Sequence, residues 1–236
     1  MIQDGVRKTE LLHNGHFANA VVWKHFLENG KTIVEKDFSS RMSVIRNTVG
    51  RFLVRREVDF IHAVEKIGIT PGGVSRCGPF SMVEDFCDGV TLREITVSNL
   101  QPDRMEREVK PSGPRSPLLA VPDVSLLEEL EQNIKRVHEL GIVHLDLHNA
   151  RNILRAPGDR WVVIDWQSAM CTRGLPRPIR RMLERIDLSG IYKHWNRILP
   201  GTLGPERERI LEWENKRRKL WVLRGLKIDA PPTRKK

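Results

Sequence analysis

One polar loop and the apolar stretch after it constrain this chain more than any other feature. His144-Leu145-Asp146-Leu147-His148-Asn149-Ala150-Arg151-Asn152-Ile153-Leu154 is followed by Val162-Val163-Ile164-Asp165-Trp166-Gln167. The first segment sets a carboxylate in a tight loop and an amide six residues later; the second sets another carboxylate at the end of an apolar strand. One acid can orient a hydroxyl, while an amide and a second acid can hold a divalent metal on phosphate groups. Asn152 and Asp165 are thirteen residues apart, enough for one hairpin with Pro157-Gly158-Asp159 at its tip. Such a hairpin returns Asp165 beside Asn152. Singly, Asp146 can be read as a turn cap and Asn152 as a loop cap. Together the three point to a phosphate site, with Asn149 as the rival amide.

A phosphate site needs a cation upstream. Ala20–Phe26 and Thr32–Phe38 alternate around Glu28-Asn29-Gly30-Lys31, which predicts a hairpin. Lys36 shares a strand face with Val34 and Phe38, and an inward Lys between apolar neighbours must find an anion. A helix is expected at roughly 50–67, with Leu53, Glu57, Phe60, Val64 and Ile67 on one face and Gly68 at its end. Glu57 interrupts that stripe and is the natural partner of Lys36, with Asp59 and Glu65 as rivals. The bland alternative is a solvent-facing Lys and an unrelated surface Glu.

The remaining organisation is coarser. Ser81–Phe86 reads as a strand closed by Asp88-Gly89. Residues 101–122 carry five prolines among charges and read as a mobile loop. A helix is expected at about 125–140, capped by Ser125 with Glu128, striped by Leu127, Leu130, Ile134 and Val137, and stopped by Gly141. Two more helical stretches are expected near 177–198 and 205–224. Trp161 and Trp166 read as core residues.

The quoted residues resemble the core of the protein-kinase-like superfamily. His144-x-Asp146 through Asn152-Ile153-Leu154, then Ile164-Asp165-Trp166-Gln167, follow Lys36, Glu57 and Met82-Val83-Glu84 in the order that superfamily shows. Within it the chain most resembles the bacterial lipopolysaccharide kinases that phosphorylate core sugars (Kdo and heptose kinases), and also the compact RIO-type kinases. Asp146-Leu147-His148 is similar to the corresponding triplet of aminoglycoside and choline kinases. The resemblance covers roughly residues 15–195.

It implies an α+β fold of two lobes: a β-rich nucleotide-binding lobe at 1–88 and a mainly helical lobe at 89–236. It implies ATP and Mg2+ between them and transfer of the γ-phosphoryl group to a hydroxyl. Lys36 would contact the α and β phosphates, positioned by Glu57. Asp146 would be the catalytic acid-base, and Asn152 and Asp165 the metal ligands. Gly15 would lie in the phosphate-covering loop, and backbone groups of Glu84, Asp85 and Phe86 would meet the adenine. His148 and Arg151 would lie near the transferring phosphate. The implied acceptor is a lipopolysaccharide core sugar; the alternatives are a protein serine or threonine, or a silent nucleotide-binding scaffold.

The chain departs from the pattern in four places. Asn14-Gly15-His16-Phe17-Ala18-Asn19 stands where G-x-G-x-x-G is expected, and Gln167 stands where the D-F-G motif has glycine. No A-P-E follows, with 71 residues left after Asp165. The loop also carries one residue more than H-R-D-x-x-x-x-N.

Composition narrows the partners without choosing one. Forty Lys and Arg against thirty Asp and Glu give a formal charge of +10, which favours an anionic partner. Hydrophobic residues make up 39%, enough for a core. Cys77, Cys87 and Cys171 are widely spaced without C-x-x-C, which fits a reducing cytoplasm. No signal peptide is read at Met1–Gly5, and no run approaches the ~20 apolar residues of a membrane span. From Pro205 to Lys236 eleven basic residues face five acids, interleaved with Ile210, Trp213, Leu220, Trp221 and Leu223. A basic amphipathic helix can lie on an anionic inner leaflet; the alternative is that its aromatic residues pack on the domain. Nucleic acid is not expected, since no recognition motif is present.

Overall fold

The computed structural model describes residues 5–14, 19–100 and 116–220. Its N-terminal part is built on an antiparallel sheet. Strands β1 (Val6–Asn14), β2 (Val21–Leu27), β3 (Thr32–Asp37), β4 (Ser75–Arg76) and β5 (Ser81–Asp85) lie in the order β1-β2-β3-β5-β4. The expected hairpin is β2–β3, turning through Gly30 at φ 82°. Its register sets Lys36 opposite Val22 on one side and Met82 on the other. Strand β1 escaped the sequence reading because it is an exposed edge: seven of its nine residues face solvent, so no apolar alternation marks it.

A short helical turn (Ser43–Ile45) and a π-helical turn (Arg46–Gly50) lead into helix α1, Arg51–Val64. A 3-10 turn (Glu65–Ile67) and Gly68, at φ 78°, end it as expected. The buried face is Val54, Glu57, Val58, Ile61 and Val64, rotated from the expected stripe. Leu53, Phe60 and Ile67 are only half-buried at its margin. The rotation follows from packing: α1 lies against both the sheet and the segment after Asp165, which widens its apolar face.

The C-terminal part is mainly helical. After β6 (Val90–Thr91) come α2 (Leu92–Leu100), unexpected from sequence, and α3 (Val124–Glu139). The α3 stripe Leu127, Leu130, Ile134 and Val137 is fully buried, as expected. Its cap is different. Asp123, not Ser125, accepts the Leu126 N–H at 2.8 Å, and the Ser125 hydroxyl donates to Asp123 at 2.7 Å. Glu128 is drawn away to Arg207. Of the expected proline-rich loop, residues 116–122 are described and hold a 3-10 turn (Pro117–Leu119); the rest lies outside the described residues.

Strand β7 (Ile142–Val143) leads into the polar loop. The predicted hairpin follows as β8 (Ile153–Ala156) and β9 (Arg160–Val163), with Gly158 and Asp159 at positive φ at its tip. Strand β10 (Met170–Cys171) pairs with β7. Helices α4 (Arg177–Ile198) and α5 (Pro205–Leu220) close the fold. The expected continuation of α5 to 224 lies outside the described residues. One hydrophobic cluster runs through the whole, from Phe38 and Val58 to Trp161, Trp166 and Trp195. Both expected core tryptophans, Trp161 and Trp166, are fully buried. The three cysteines are free thiols.

Candidate functional site

Lys36 projects from β3 into the interior, 8% exposed, where it meets the carboxylate of Glu57 on α1. The rivals are elsewhere: Asp59 pairs with Arg55 and Glu65 with His62, both on the surface. A second carboxylate, Glu84 on β5, stands 3.6 Å from the same ammonium. Burial works against the Lys36 charge, but Glu57, Glu84 and Asp165 outweigh it and hold the pKa above that of a free lysine. Glu84 is also pushed up, which for a carboxyl disfavours the charge. Burial raises its carboxyl, Lys36 only partly opposes this, and Glu57 adds to it.

These groups border a cavity of about 460 Å³, a usual size for a small-molecule site. Its walls include Val22, Val34, Lys36, Glu84, Asn152 and Asp165. Asp85 and Phe86 line it as well, with Cys87, which the sequence reading missed. Two of the backbone groups expected to meet a base are already engaged: the Asp85 N–H donates to Gly72 at 2.8 Å, and the Phe86 N–H to Thr32 at 3.0 Å. Glu84 contributes its side chain here, because β3–β5 register turns it to the same face as Lys36. Gly15 lies outside the described residues, though Leu12, His13 and Asn19 on either side reach the cavity wall.

The polar loop brings the expected acid and amide together. Asn152 Nδ2 donates to Asp146 Oδ2 at 2.7 Å, and its Oδ1 accepts from Asn149 Nδ2 at 3.2 Å. The two rival amides therefore form one chain, with Asn152 next to the acid. The Ile164 N–H donates to the Asn152 carbonyl at 3.0 Å, which sets Asp165 at the mouth of the same loop. Asp165 itself adopts a left-handed conformation, φ 65°, ψ 62°, rare for a non-glycine residue and typical of functional positions. His144 links the backbone at Asp146 to the backbone at Ile164. Its Nδ1 accepts the Asp146 N–H at 3.3 Å and its Nε2–H donates to the Ile164 carbonyl at 3.2 Å. Burial depresses its pKa, so the ring is held neutral, as both bonds require.

Helix α4 supports this loop, and the sequence reading assigned it no such role. Asp187, 1% exposed, accepts the backbone N–H groups of His144 and Leu145, each at 2.7 Å, and faces His138 Nε2 at 3.1 Å. Leu145 holds φ at 65° beneath it. A Cβ on Gly190 would fall 2.7 Å from the Leu147 carbonyl carbon, so the helix approaches the loop backbone too closely for any side chain there. His194 Nε2–H donates to the carbonyls of Leu147 and His148. One signal could have found Asp187: an acid in the middle of an apolar helix face, the same argument that found Glu57. Arg56 on α1 donates from Nε to the Ala169 carbonyl at 3.1 Å, tying the helix that carries Glu57 to the segment after Asp165.

A carboxylate and an amide carbonyl are hard oxygen donors, suited to Mg2+ shared with phosphates and water. Asp165 and Asn152 have that chemistry. Among the described residues no cluster of three His, Cys, Asp or Glu is placed to hold a metal by itself.

The fold is that of the protein kinases and their relatives. The crystal structure of the Rio2 kinase from Chaetomium thermophilum superposes with a TM-score of 0.58 at 16% identity, over 91% of this chain and 73% of that one. The Rio2 kinase-ADP/Mg2+-phosphoaspartate complex from the same organism gives 0.56 at 18% identity, over 88% of this chain and 61% of that one. No family model and no curated protein matches the sequence.

Proposed function

We propose that this protein is an ATP-dependent phosphotransferase that moves the γ-phosphoryl group to a hydroxyl. The observation that carries the reading is the convergence of the Lys36–Glu57 pair, the Asp146–Asn152 pair and Asp165 around one cavity and its adjoining loop. Residues 1–88 would form the nucleotide-binding lobe and residues 89–236 the acceptor-binding lobe. Lys36 would neutralise the α and β phosphates, held extended by Glu57. Mg2+ held by Asp165 and Asn152 would neutralise charge on the phosphates. The adenine would lie along Glu84–Cys87. Asp146 orients the acceptor hydroxyl and takes its proton as the new O–P bond forms and the bond to the ADP oxygen breaks. The resemblance to lipopolysaccharide kinases points to a core sugar as acceptor, whereas the likeness to Rio2 kinase favours protein hydroxyls; phosphate appearing only on protein would exclude the sugar.

The test is magnesium-dependent ATP turnover. Asp146→Ala is expected to lower it by about 10²–10⁴ with nucleotide affinity retained. Intact nucleotide binding without turnover by the parent chain would instead establish a silent scaffold. One observation favours that second reading: Glu84 stands 3.6 Å from the Lys36 ammonium, where it would compete with a nucleotide phosphate.

The tail is a separate matter. Along α5, Ile210 and Leu211 pack on the core, and Trp213 sits beside Arg185 and Arg217. No helix among the described residues is long and apolar enough to cross a membrane. Peripheral contact of the basic tail, residues 205–236, with an anionic inner membrane is part of the proposal. Equal vesicle co-sedimentation with and without them would exclude it. A cytoplasmic location is part of the same proposal.

A further inference from the structure

A second cavity, of about 480 Å³, lies against α1 and shares no lining residue with the first. Its apolar wall is Phe52, Phe60 and Ala63 of α1 with Leu140 and Ile142. Cys171 of β10 opens onto it as a free thiol. A concave apolar wall of this size with a few placed polar groups suits a small molecule.

The charges of the wall do not cancel. Arg55 pairs with Asp59 at 3.6 Å on the helix surface. Arg56 and Arg173 meet no carboxylate among the described residues, and each hydrogen-bonds only to a main-chain carbonyl, Ala169 and Leu140 respectively. Contacts with the wall place both charges. Arg56 Cζ stands 5.5 Å from the centre of the Phe52 ring and 5.7 Å from that of Phe60, within cation–π reach of both. Arg173 Nε donates to the Leu140 carbonyl at 3.0 Å. A Cβ on Gly141 would fall 2.5 Å from Arg173 Cγ, so the Arg173 stem crosses the backbone that joins Leu140 to Ile142. A guanidinium has five N–H donors, so the Leu140 carbonyl leaves most of those on Arg173 unused.

We infer that this cavity binds a small aromatic carboxylate, its ring against Phe52, Phe60 and Leu140 and its carboxylate on Arg173 and Arg56. Aromatic walls favour an aromatic ring, and a guanidinium fork matches a carboxylate with two parallel hydrogen bonds. The chain's own tail, with eleven basic residues against five acids, is disfavoured there by like charge. The inference goes beyond the phosphotransferase reading and stands without it.

The full chain is titrated with naphthoate by calorimetry, and iodoacetamide alkylation of its cysteines is followed by peptide mass spectrometry. Saturable binding is expected, with slower alkylation of Cys171 and no change at Cys87, which lines the first cavity. Naphthamide, the same ring without the charge, should bind about tenfold more weakly. Arg173→Gln should weaken naphthoate about tenfold and leave naphthamide unaffected, and Arg173→Lys should recover part of the loss. Ala63→Leu should block both ligands by filling the cavity. Ala63 and Arg173 are exposed, so neither change disturbs the core. Arg209→Gln, which removes an exposed cation on α5, is the control. Absence of saturable binding, equal affinity for naphthamide, protection of Cys87 rather than Cys171, or equal weakening by Arg209→Gln would each overturn the inference. So would a dimer in sedimentation that Ala63→Leu dissolves, since a second copy of the chain would then fill the cavity. Turnover plays no part in these measurements. Failure of this site is thus read separately from failure of the phosphotransferase reading, which Asp146→Ala tests.

Discussion

Glu84 is the residue at which this site is most its own. A buried carboxylate shares Lys36 with Glu57, and its second oxygen has no hydrogen-bond partner among the described residues. Its pKa is raised by burial, so in the unfolded chain it ionises near the ordinary value of 4.5 and in the folded chain only at higher pH. As pH rises through that window the unfolded state loses its proton first, and stability falls. Glu84→Gln should therefore raise the thermal midpoint at pH 7, with the gain gone by about pH 4. It should also tighten ATP binding, since Lys36 then answers to one acid only. An unchanged midpoint and weaker ATP binding would mean that Glu84 is a needed partner. Glu57 was legible as an inward acid on a helix face. Glu84 was read for its backbone alone, because nothing in Ser81–Phe86 told which strand face would carry Lys36.

Among the elements, α4 decides the loop. Its length was legible from sequence; its role was not, because a support is defined by what packs on it. Gly190 permits contact with the Leu147–His148 backbone, and an added methyl must push the loop or the helix away. Gly190→Ala is expected to cost about 1–3 kcal/mol in chemical denaturation and to reduce turnover more than nucleotide binding. Asp187→Ala leaves two buried backbone N–H groups without their acceptor, at about 1–3 kcal/mol each. Loss of turnover with unaltered stability would show that Asp187 is not the anchor of the loop. The polar loop and its hairpin could be read in advance because their information is local: turn residues, strand alternation and a fixed spacing. Strand β1 and helix α2 could not, since one is an exposed edge and the other has a weak apolar face.

For the whole molecule, acid is the expected weak point. His194 is buried at the junction of α4 and the loop, and burial with the neighbouring Lys193 lowers its pKa to about 4. An unfolded histidine titrates near the ordinary value of 6.5. Above that pH both states are neutral and stability is complete. As pH falls from there toward 4 the unfolded state alone takes up the proton, and up to about 3 kcal/mol is lost. Melting curves from pH 7.5 to 4.5 should show this decline, and His194→Gln should flatten it by keeping a donor for the carbonyls without a proton to gain. A flat profile in the parent chain would remove His194 as its cause.

Sequence alone picked out the acids, the amide and the lysine, because the proposed phosphate site needs those groups at loop and strand ends whatever surrounds them. It also determined the local elements that carry them, from spacing and turn chemistry. Tertiary structure decided the rest. It chose Glu57 over Asp59 and Glu65, placed Glu84 on the same ammonium, set Asp187 under the loop and gathered Phe60, Ile142 and Arg173 around a second cavity. Each of these is a relation between residues far apart in the chain, set by strand register and helix packing, and no local pattern encodes it.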